Sequence, residues 1–226
     1  MPSCSEPRRA STAQRYVPAA GRAWLTGLYD PVMALTMRER RWRPALLEAV
    51  SSTVPRGGTV VDVGAGTGSF AIALAAARPD ASVLAVDGDA DVLERARSKP
   101  GADGVEWRTG LAGELPLAAG QADVIVMSLL LHHLEPDPKR AALADARAAL
   151  RPGGWLHVAD WGRPRGALPR AGFAALRALD GRAGTADHAA GRLAALIAEA
   201  GFEDPSLGMR LPTAWGTLEL LAARRP

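Results

Sequence analysis

The segment VVDVGAGTGSF, residues 60–70, places three glycines at alternate positions directly after a short β-branched run. A buried strand, a tight glycine turn and a helix form the arrangement in which α/β sheets bind nucleotides. Gly64, Gly66 and Gly68 allow the backbone to turn sharply and to approach a ligand closely. The dinucleotide fingerprint G-x-G-x-x-G requires a glycine where this chain has Ser69. The loop alone therefore leaves both a nucleotide site and a purely structural turn open.

Beyond residue 59, short β-branched runs alternate with alanine-rich amphipathic runs. This alternation predicts an α/β fold in which a mostly parallel sheet is connected by right-handed crossovers. A helix is expected from Pro138 to the glycines at 153 and 154. Two further helices are expected over 167–181 and 191–202, and a closing pair of strands over 206–211 and 215–224. The other strands are predicted at 59–63, 82–87, 105–108, 122–128 and 155–160.

The N-terminal part of the chain has a different character. Residues 1–18 lack hydrophobic periodicity and predict a disordered arm. Residues 19–51 predict two helices divided by YDP at 29–31, and these helices would form a lid over the site. No polar, flexible boundary divides the rest, so residues 19–226 are expected to form one domain.

Composition narrows the classes of partner. The single cysteine, Cys4, cannot build a disulfide framework or a cysteine-based metal site. No run of about 18 apolar residues predicts a membrane span, and a cytoplasmic location is the expectation. The net charge of +3 comes almost wholly from arginine. A basic arm suits RNA or an anionic surface, but arginine is spread along the whole chain, which favours no nucleic-acid partner.

Two acids sharpen the interpretation of the glycine loop. Asp62 lies inside an apolar strand, where an unpaired carboxylate is costly. Either backbone N–H groups of the following loop hold it, or it orders the loop and reaches a ligand ammonium group. Asp87 ends the second predicted strand, about 20 residues after the loop, where a carboxylate can accept both hydroxyls of a ribose. The alternative role for Asp87 is a helix N-cap, for which Asp89 is better placed.

Four segments of the chain, which include the glycine loop and both acids, resemble the motifs of a known family. VVDVGAGTGSFAIALA, VLAVDGDADVLERAR, LPLAAGQADVIVMSLLLHHL and ALRPGGWLHVADW are similar to successive motifs of class I S-adenosylmethionine (SAM)-dependent methyltransferases. Within that class the chain resembles the small bacterial group related to the ubiquinone and menaquinone methyltransferases. The resemblance covers residues 24–161 and implies a Rossmann-like, seven-stranded, mostly parallel sheet with helices on both faces and an antiparallel hairpin at one edge.

The resemblance also implies which residues bind the cofactor SAM. Asp62 would hold the loop and the amino group, Asp87 the ribose hydroxyls, and Gly88 would leave room for the adenine. Tyr29 would close over the cofactor from the N-terminal helices. The methionine part would be wrapped by Gly64, Ala65, Gly66, Thr67 and Gly68, above the end of the fourth strand at Met127, Ser128 and Leu129. The cofactor's carboxylate would be held by one of Arg38, Arg40 and Arg41.

One position departs from the family pattern. After the third strand the family carries glycine and then an acid that reaches the adenine amino group. The matching pair here is Gly110 and Leu111. A backbone group of Ala112, or the side chain of Glu114, is the available substitute.

His132 and His133 follow the fourth strand, where the family's chain passes between cofactor and acceptor. A histidine there suits a general base, and a packing or capping role is the alternative. No metal site is expected, because adjacent histidines on a turn point apart.

The function implied is in-line transfer of the methyl group of SAM to oxygen, nitrogen or carbon of a small-molecule acceptor. A SAM-binding protein without turnover and a methyltransferase of protein or RNA are the alternatives. The protein is expected to be a monomer or a homodimer.

Overall fold

A computed structural model describes residues 36–226 of the chain. The predicted arm, the first predicted helix and Tyr29 therefore lie outside the described residues. The described part forms seven helices, namely α1 (Glu39–Thr53), α2 (Ser69–Ala77), α3 (Ala90–Arg97), α4 (Pro136–Ala149), α5 (Ala167–Asp180), α6 (Ala186–Ala190) and α7 (Leu193–Glu199). Its seven strands are β1 (Thr59–Val63), β2 (Ser82–Asp87), β3 (Val105–Thr109), β4 (Ala122–Ser128), β5 (Leu150–Gly162), β6 (Glu203–Pro212) and β7 (Thr217–Arg224).

The seven strands form one sheet in the order β3-β2-β1-β4-β5-β7-β6. Neighbours from β3 to β5 are parallel, whereas β7 runs antiparallel to both β5 and β6. The predicted α/β class, the mostly parallel sheet and the antiparallel hairpin at one edge are confirmed. The direction of chain progression reverses between β1 and β4, and α/β sheets bind ligands in the crevice at the carboxyl ends of such strands.

The sheet is covered on both faces. One face packs against α4 and α7, and its strand residues include Val61, Val63 and Met127. The other face packs against α1, α2 and α5, and its strand residues include Val60 and Val126. Because side chains alternate along a strand, Asp62 shares the face of Val60 and lies on the side of α1.

The largest differences from the predicted boundaries lie where α4 meets β5. The helix before β5 was expected to continue to the glycines at 153 and 154, but α4 ends at Ala149. The strand expected at 155–160 extends over Leu150–Gly162. Leu150 pairs with Ala122 while Trp155 pairs with Val124, so an irregularity in β5 absorbs the intervening residues. Among the described residues, no helix combines the length and the apolar character needed to cross a membrane.

Candidate active site

The glycine loop joins β1 to α2, and all three glycines have left-handed backbone angles, with φ of 72°, 54° and 72° for Gly64, Gly66 and Gly68. A Cβ at Gly64 would lie 2.8 Å from the Leu130 side chain, and one at Gly68 would overlap the indole of Trp107. A Cβ at Gly66 would have no neighbour within 4 Å among the described residues. Packing therefore requires Gly64 and Gly68, whereas Gly66 faces open space that a ligand can occupy.

Asp62 is fully buried in β1, two residues before the loop. Neither carboxylate oxygen has a hydrogen-bond partner among the described residues. Desolvation raises the pKa of Asp62 to about 7, opposed by the charge of Arg43 and assisted by that of Asp87. The alternative in which loop N–H groups hold Asp62 is therefore wrong. A buried, unpaired carboxylate at this position is a strong acceptor for a ligand ammonium group.

Arg43 was not among the arginines that the sequence suggested for the cofactor's carboxylate. It lies on α1, forms an ion pair with Glu39 at 2.7 Å and stacks over the Trp42 ring at 4.9 Å from its centroid. Its charge lowers the pKa of Asp62.

Asp87 ends β2 beside the loop, and its carboxylate is engaged on both oxygens. Oδ2 accepts the backbone N–H of Gly66 at 2.7 Å, and Oδ1 accepts that of Asp89 at 2.9 Å. Asp89 itself caps α3 by accepting the N–H groups of Asp91 and Val92, so Asp89 holds the capping role. Asp87 therefore links β2 to the glycine loop, with Gly88 adjacent.

Leu111 lies next to Asp87, because the N–H of Gly110 donates to the Asp87 carbonyl at 3.0 Å. Leu111 is half-buried and pairs with Glu114 through an isolated bridge. The Glu114 side chain is exposed, and Ala112 packs against the hydrophobic core on the α4 side. The leucine is thus the side chain that stands where the resembling family has its acid.

At the end of β4, backbone groups are more accessible to a ligand than side chains are. Met127 is fully buried in the core, so only its backbone remains available to a ligand. Ser128 and Leu129 are half-buried. Leu129 has a φ of 53°, which is rare for a residue with a Cβ, and its N–H donates to Ala159 at 2.8 Å. Backbone strain of this kind clusters at functional sites.

His132 is buried after β4 and is held by Asp160 of β5. Its Nδ1 lies 2.8 Å from Asp160 Oδ1, and the Asp160 carboxylate also accepts backbone N–H groups of Leu131, His132 and Trp161. Burial raises the pKa of Asp160. The charges of His132 and His188, together with the hydrogen bonds from His132 and the Trp161 N–H, outweigh burial and hold that pKa below its usual range. Because a carboxylate only accepts, Nδ1 of His132 carries a proton and Nε2 points the other way.

His133 is exposed, and its ring centroid lies 3.9 Å from that of His132. The expectation that the two adjacent rings point apart is therefore wrong. Although the side chain has solvent access, neighbouring protein atoms desolvate the imidazolium and lower the pKa of His133 to about 4, with a further contribution from the charge of His132. A pKa this low makes His133 a weak base at neutral pH, which weakens the case for it as the general base.

Residues 60–154 match the family described as a methyltransferase domain. The match begins in β1, includes the glycine loop and all of β4, and ends within β5. Residues 60–154 are a class I SAM-dependent methyltransferase domain. The sheet order supports this assignment over the full described region, because the strands beyond residue 154 complete the hairpin edge that the resemblance implied.

Two curated relatives resemble this methyltransferase domain. A malonyl-[acyl-carrier protein] O-methyltransferase of Methylococcus capsulatus is 36% identical over 154 residues, covering 68% of this chain and 53% of that protein. A ubiquinone/menaquinone biosynthesis C-methyltransferase of Desulfotalea psychrophila is 29% identical over 132 residues, covering 58% of this chain and 52% of that protein. The chain thus spans about half the length of both relatives.

Solved structures share the fold. A SAM-dependent methyltransferase from Aquifex aeolicus superimposes with a TM-score of 0.58 at 19% identity, covering 80% of this chain and 89% of that chain. At this identity the similarity concerns the fold.

SAM is the cofactor of this family, and the residues of the methyltransferase domain fit it. The Asp62 carboxylate, unpartnered within residues 36–226, suits the ammonium group, and the space beside Gly66 that these residues leave open suits the ligand. The Asp87 carboxylate stands at the end of β2, where the ribose hydroxyls are bound in Rossmann-like folds.

Proposed function

We propose that this protein transfers the methyl group of SAM to oxygen, nitrogen or carbon of a small-molecule acceptor. The observation that carries the proposal is the Asp62 carboxylate, which is fully buried and unpartnered among the described residues beside the open space at Gly66. A folded protein does not retain an unpaired buried carboxylate without cost, and a ligand ammonium group removes that cost.

Bound SAM would supply a methyl group on a positively charged sulfur, which is already activated for displacement. The residues of this chain would then bind, orient and dehydrate the reactants. Asp62 would hold the ammonium group and Asp87 the ribose hydroxyls. The backbone at Gly66 would adjoin the methionine part. Orientation of this kind accounts for about 7–11 kcal/mol in well-placed reactions.

The acceptor side is formed by the segment after β4 and the end of β5. One curated relative is named as an O-methyltransferase and the other as a C-methyltransferase. These names support a small-molecule acceptor, and both oxygen and carbon stay open as the methylated atom. His133 is the exposed member of the histidine pair and therefore the one that an acceptor can meet. We propose that the helices at 19–51 and α5 cover this side when the acceptor is bound.

The test is product formation. The purified chain is incubated with SAM and a panel of phenols, quinols, amines and acyl-carrier-bound carboxylates, and S-adenosylhomocysteine and methylated products are detected by mass. A methylated small molecule formed by the native chain and not by Gly66→Ala supports the proposal. SAM binding without turnover over the whole panel would favour a binding protein, and methylation of protein or RNA alone would favour a macromolecular acceptor.

A further inference from the structure

Three potential metal ligands converge beside the end of β4. One donor atom each from His132, His133 and Asp180 lies within 4.8 Å of the other two. Asp180 is the last residue of α5, 48 positions beyond His132, so the fold and not local sequence brings them together. Nε2 of His132 lies 3.8 Å from Asp180 Oδ2, which is too long for a hydrogen bond.

We propose that His132, His133 and Asp180 bind a divalent transition-metal ion. Two imidazoles and one carboxylate form a ligand set typical of zinc and of related borderline metals. Metal–ligand bonds of about 2.0–2.2 Å at a tetrahedral angle separate two donor atoms by about 3.4 Å. The observed separation of 3.8 Å between Nε2 and Oδ2 needs only a small adjustment to reach that value.

Asp160 supports this assignment from the opposite side of the His132 ring. Its hydrogen bond to Nδ1, at 2.8 Å, fixes the tautomer that leaves Nε2 as the free donor. Metal-binding histidines almost always carry such a carboxylate or carbonyl partner on their second nitrogen. Asp160 is therefore a positioning residue, and it does not need to contact the ion.

The carboxylates that flank His132 favour a cation at the cluster of His132, His133 and Asp180. Asp160 and Asp180 both face His132. The nearest buried cation on α4 is Lys139, whose ammonium donates to the Gly184 carbonyl at 2.6 Å and lies 3.5 Å from Asp187. That ammonium is thus paired with a third carboxylate. A divalent ion would neutralise the two carboxylates that flank His132.

Three protein ligands leave a fourth position open, as in catalytic zinc sites. His133 is exposed, so solvent and small molecules can reach the cluster. Water or an acceptor oxygen would complete the coordination. The inference goes beyond the proposed methyl transfer and does not depend on it, because the ligands are all side chains of this chain.

Cobalt binding by the tag-free chain tests the proposal. Co²⁺ is titrated and followed by its visible absorption, and Zn²⁺ is then added as competitor. The ligand variants are His132→Asn, His133→Ala and Asp180→Asn. Asparagine at position 132 retains an N–H near Nδ1 for Asp160 but lacks Nε2. The controls are His157→Gln, whose histidine bonds Thr53 away from the cluster, and Asp137→Asn on the exposed start of α4.

We expect one zinc-displaceable Co²⁺ per chain for the native protein and both controls. Loss of a group that only orients a ligating histidine costs about 10–100-fold in metal affinity, so each ligand variant should lose at least that much. His133→Ala changes an exposed residue and keeps the test valid if His132→Asn does not fold. Absence of Co²⁺ binding by the native chain, or equal binding by all six proteins, would overturn the proposal, and neither result bears on SAM binding.

Discussion

The Asp87 carboxylate accepts the backbone N–H of Gly66 at 2.7 Å and so joins the end of β2 to the middle of the glycine loop. The two residues are 21 positions apart in sequence. This hydrogen bond holds Gly66, whose backbone has a left-handed φ of 54°, in place within the loop. The same carboxylate oxygen retains capacity for a ligand hydroxyl, because a carboxylate accepts about four hydrogen bonds. Loop shape and ligand recognition are therefore coupled through one side chain.

Gly66→Ala should abolish detectable SAM binding while the protein remains folded. The added methyl would enter space that residues 36–226 leave open. The matched control is Gly57→Ala, because Gly57 also has a left-handed φ of 70° and no neighbour within 4 Å in the part of the chain that the structure describes. Both variants should lose about 1–2 kcal/mol of unfolding free energy to backbone strain. Equal SAM affinity in the two variants, measured by calorimetry, would show that Gly66 does not border the cofactor.

Gly68→Ala should destabilise the fold by clearly more than Gly57→Ala. A Cβ there would overlap the six-membered ring of Trp107, whose Nε1–H is fixed by the Ala102 carbonyl at 3.1 Å. Denaturant unfolding measures the difference. Overpacking of this kind costs about 1–3 kcal/mol beyond the strain of the backbone. Trp107→Leu in the Gly68→Ala background should recover part of the loss, and a purely additive double variant would contradict direct contact.

Asp62→Asn should stabilise the ligand-free chain at pH 8 and weaken SAM binding. Folding raises the pKa of Asp62 to about 7, so its contribution to stability is present below its unfolded pKa and is lost as pH rises through the folded pKa. The variant removes that loss, which amounts to up to about 4 kcal/mol. Unfolding free energies of the two proteins should differ at pH 8 and converge near pH 4. A pH-independent difference would show that folding leaves the pKa of Asp62 unshifted, and a difference that reversed sign would show a stabilising partner in the folded chain.

Leu111→Asp should tighten SAM binding by about 1–2 kcal/mol, the net scale of one hydrogen bond to an adenine amino group. Leu111 lies beside Asp87 through the Gly110–Asp87 backbone bond. The native leucine cannot accept that hydrogen bond, so SAM analogues methylated at N6 should bind the native chain nearly as well as SAM. Strong rejection of N6-dimethylated analogues by the native chain would reveal another acceptor.

The strands could be predicted closely because each is a short β-branched run ended by polar or glycine residues. β1, β2 and β4 have the predicted limits. Helix α6 has only five residues, Ala186–Ala190, too few to show a period, and was missed. The end of α4 was misplaced because Leu150 continues its apolar pattern, although pairing with Ala122 draws that residue into β5.

The candidate site also has features that the sequence revealed and features that it did not. The glycine loop and its two acids are local signals that a strand-turn-helix pattern reveals. By contrast, the sequence did not show that Trp107 packs against Gly68, that Arg43 acts on Asp62, or that Asp180 meets His132. Each of these relationships joins elements distant in sequence, so it depends on sheet order and on the packing of α1 and α5.

Calorimetric titration of the native chain and of Asp87→Ala with SAM is the most direct test that this chain binds SAM through Asp87. We expect a single SAM site in the native chain, binding of S-adenosylhomocysteine at the same site, and no binding of NAD. Asp87→Ala should lose about 1.5–3 kcal/mol of SAM binding free energy, the range for hydrogen bonds to a charged group. Binding of NAD without binding of SAM by the native chain would contradict the proposed SAM site.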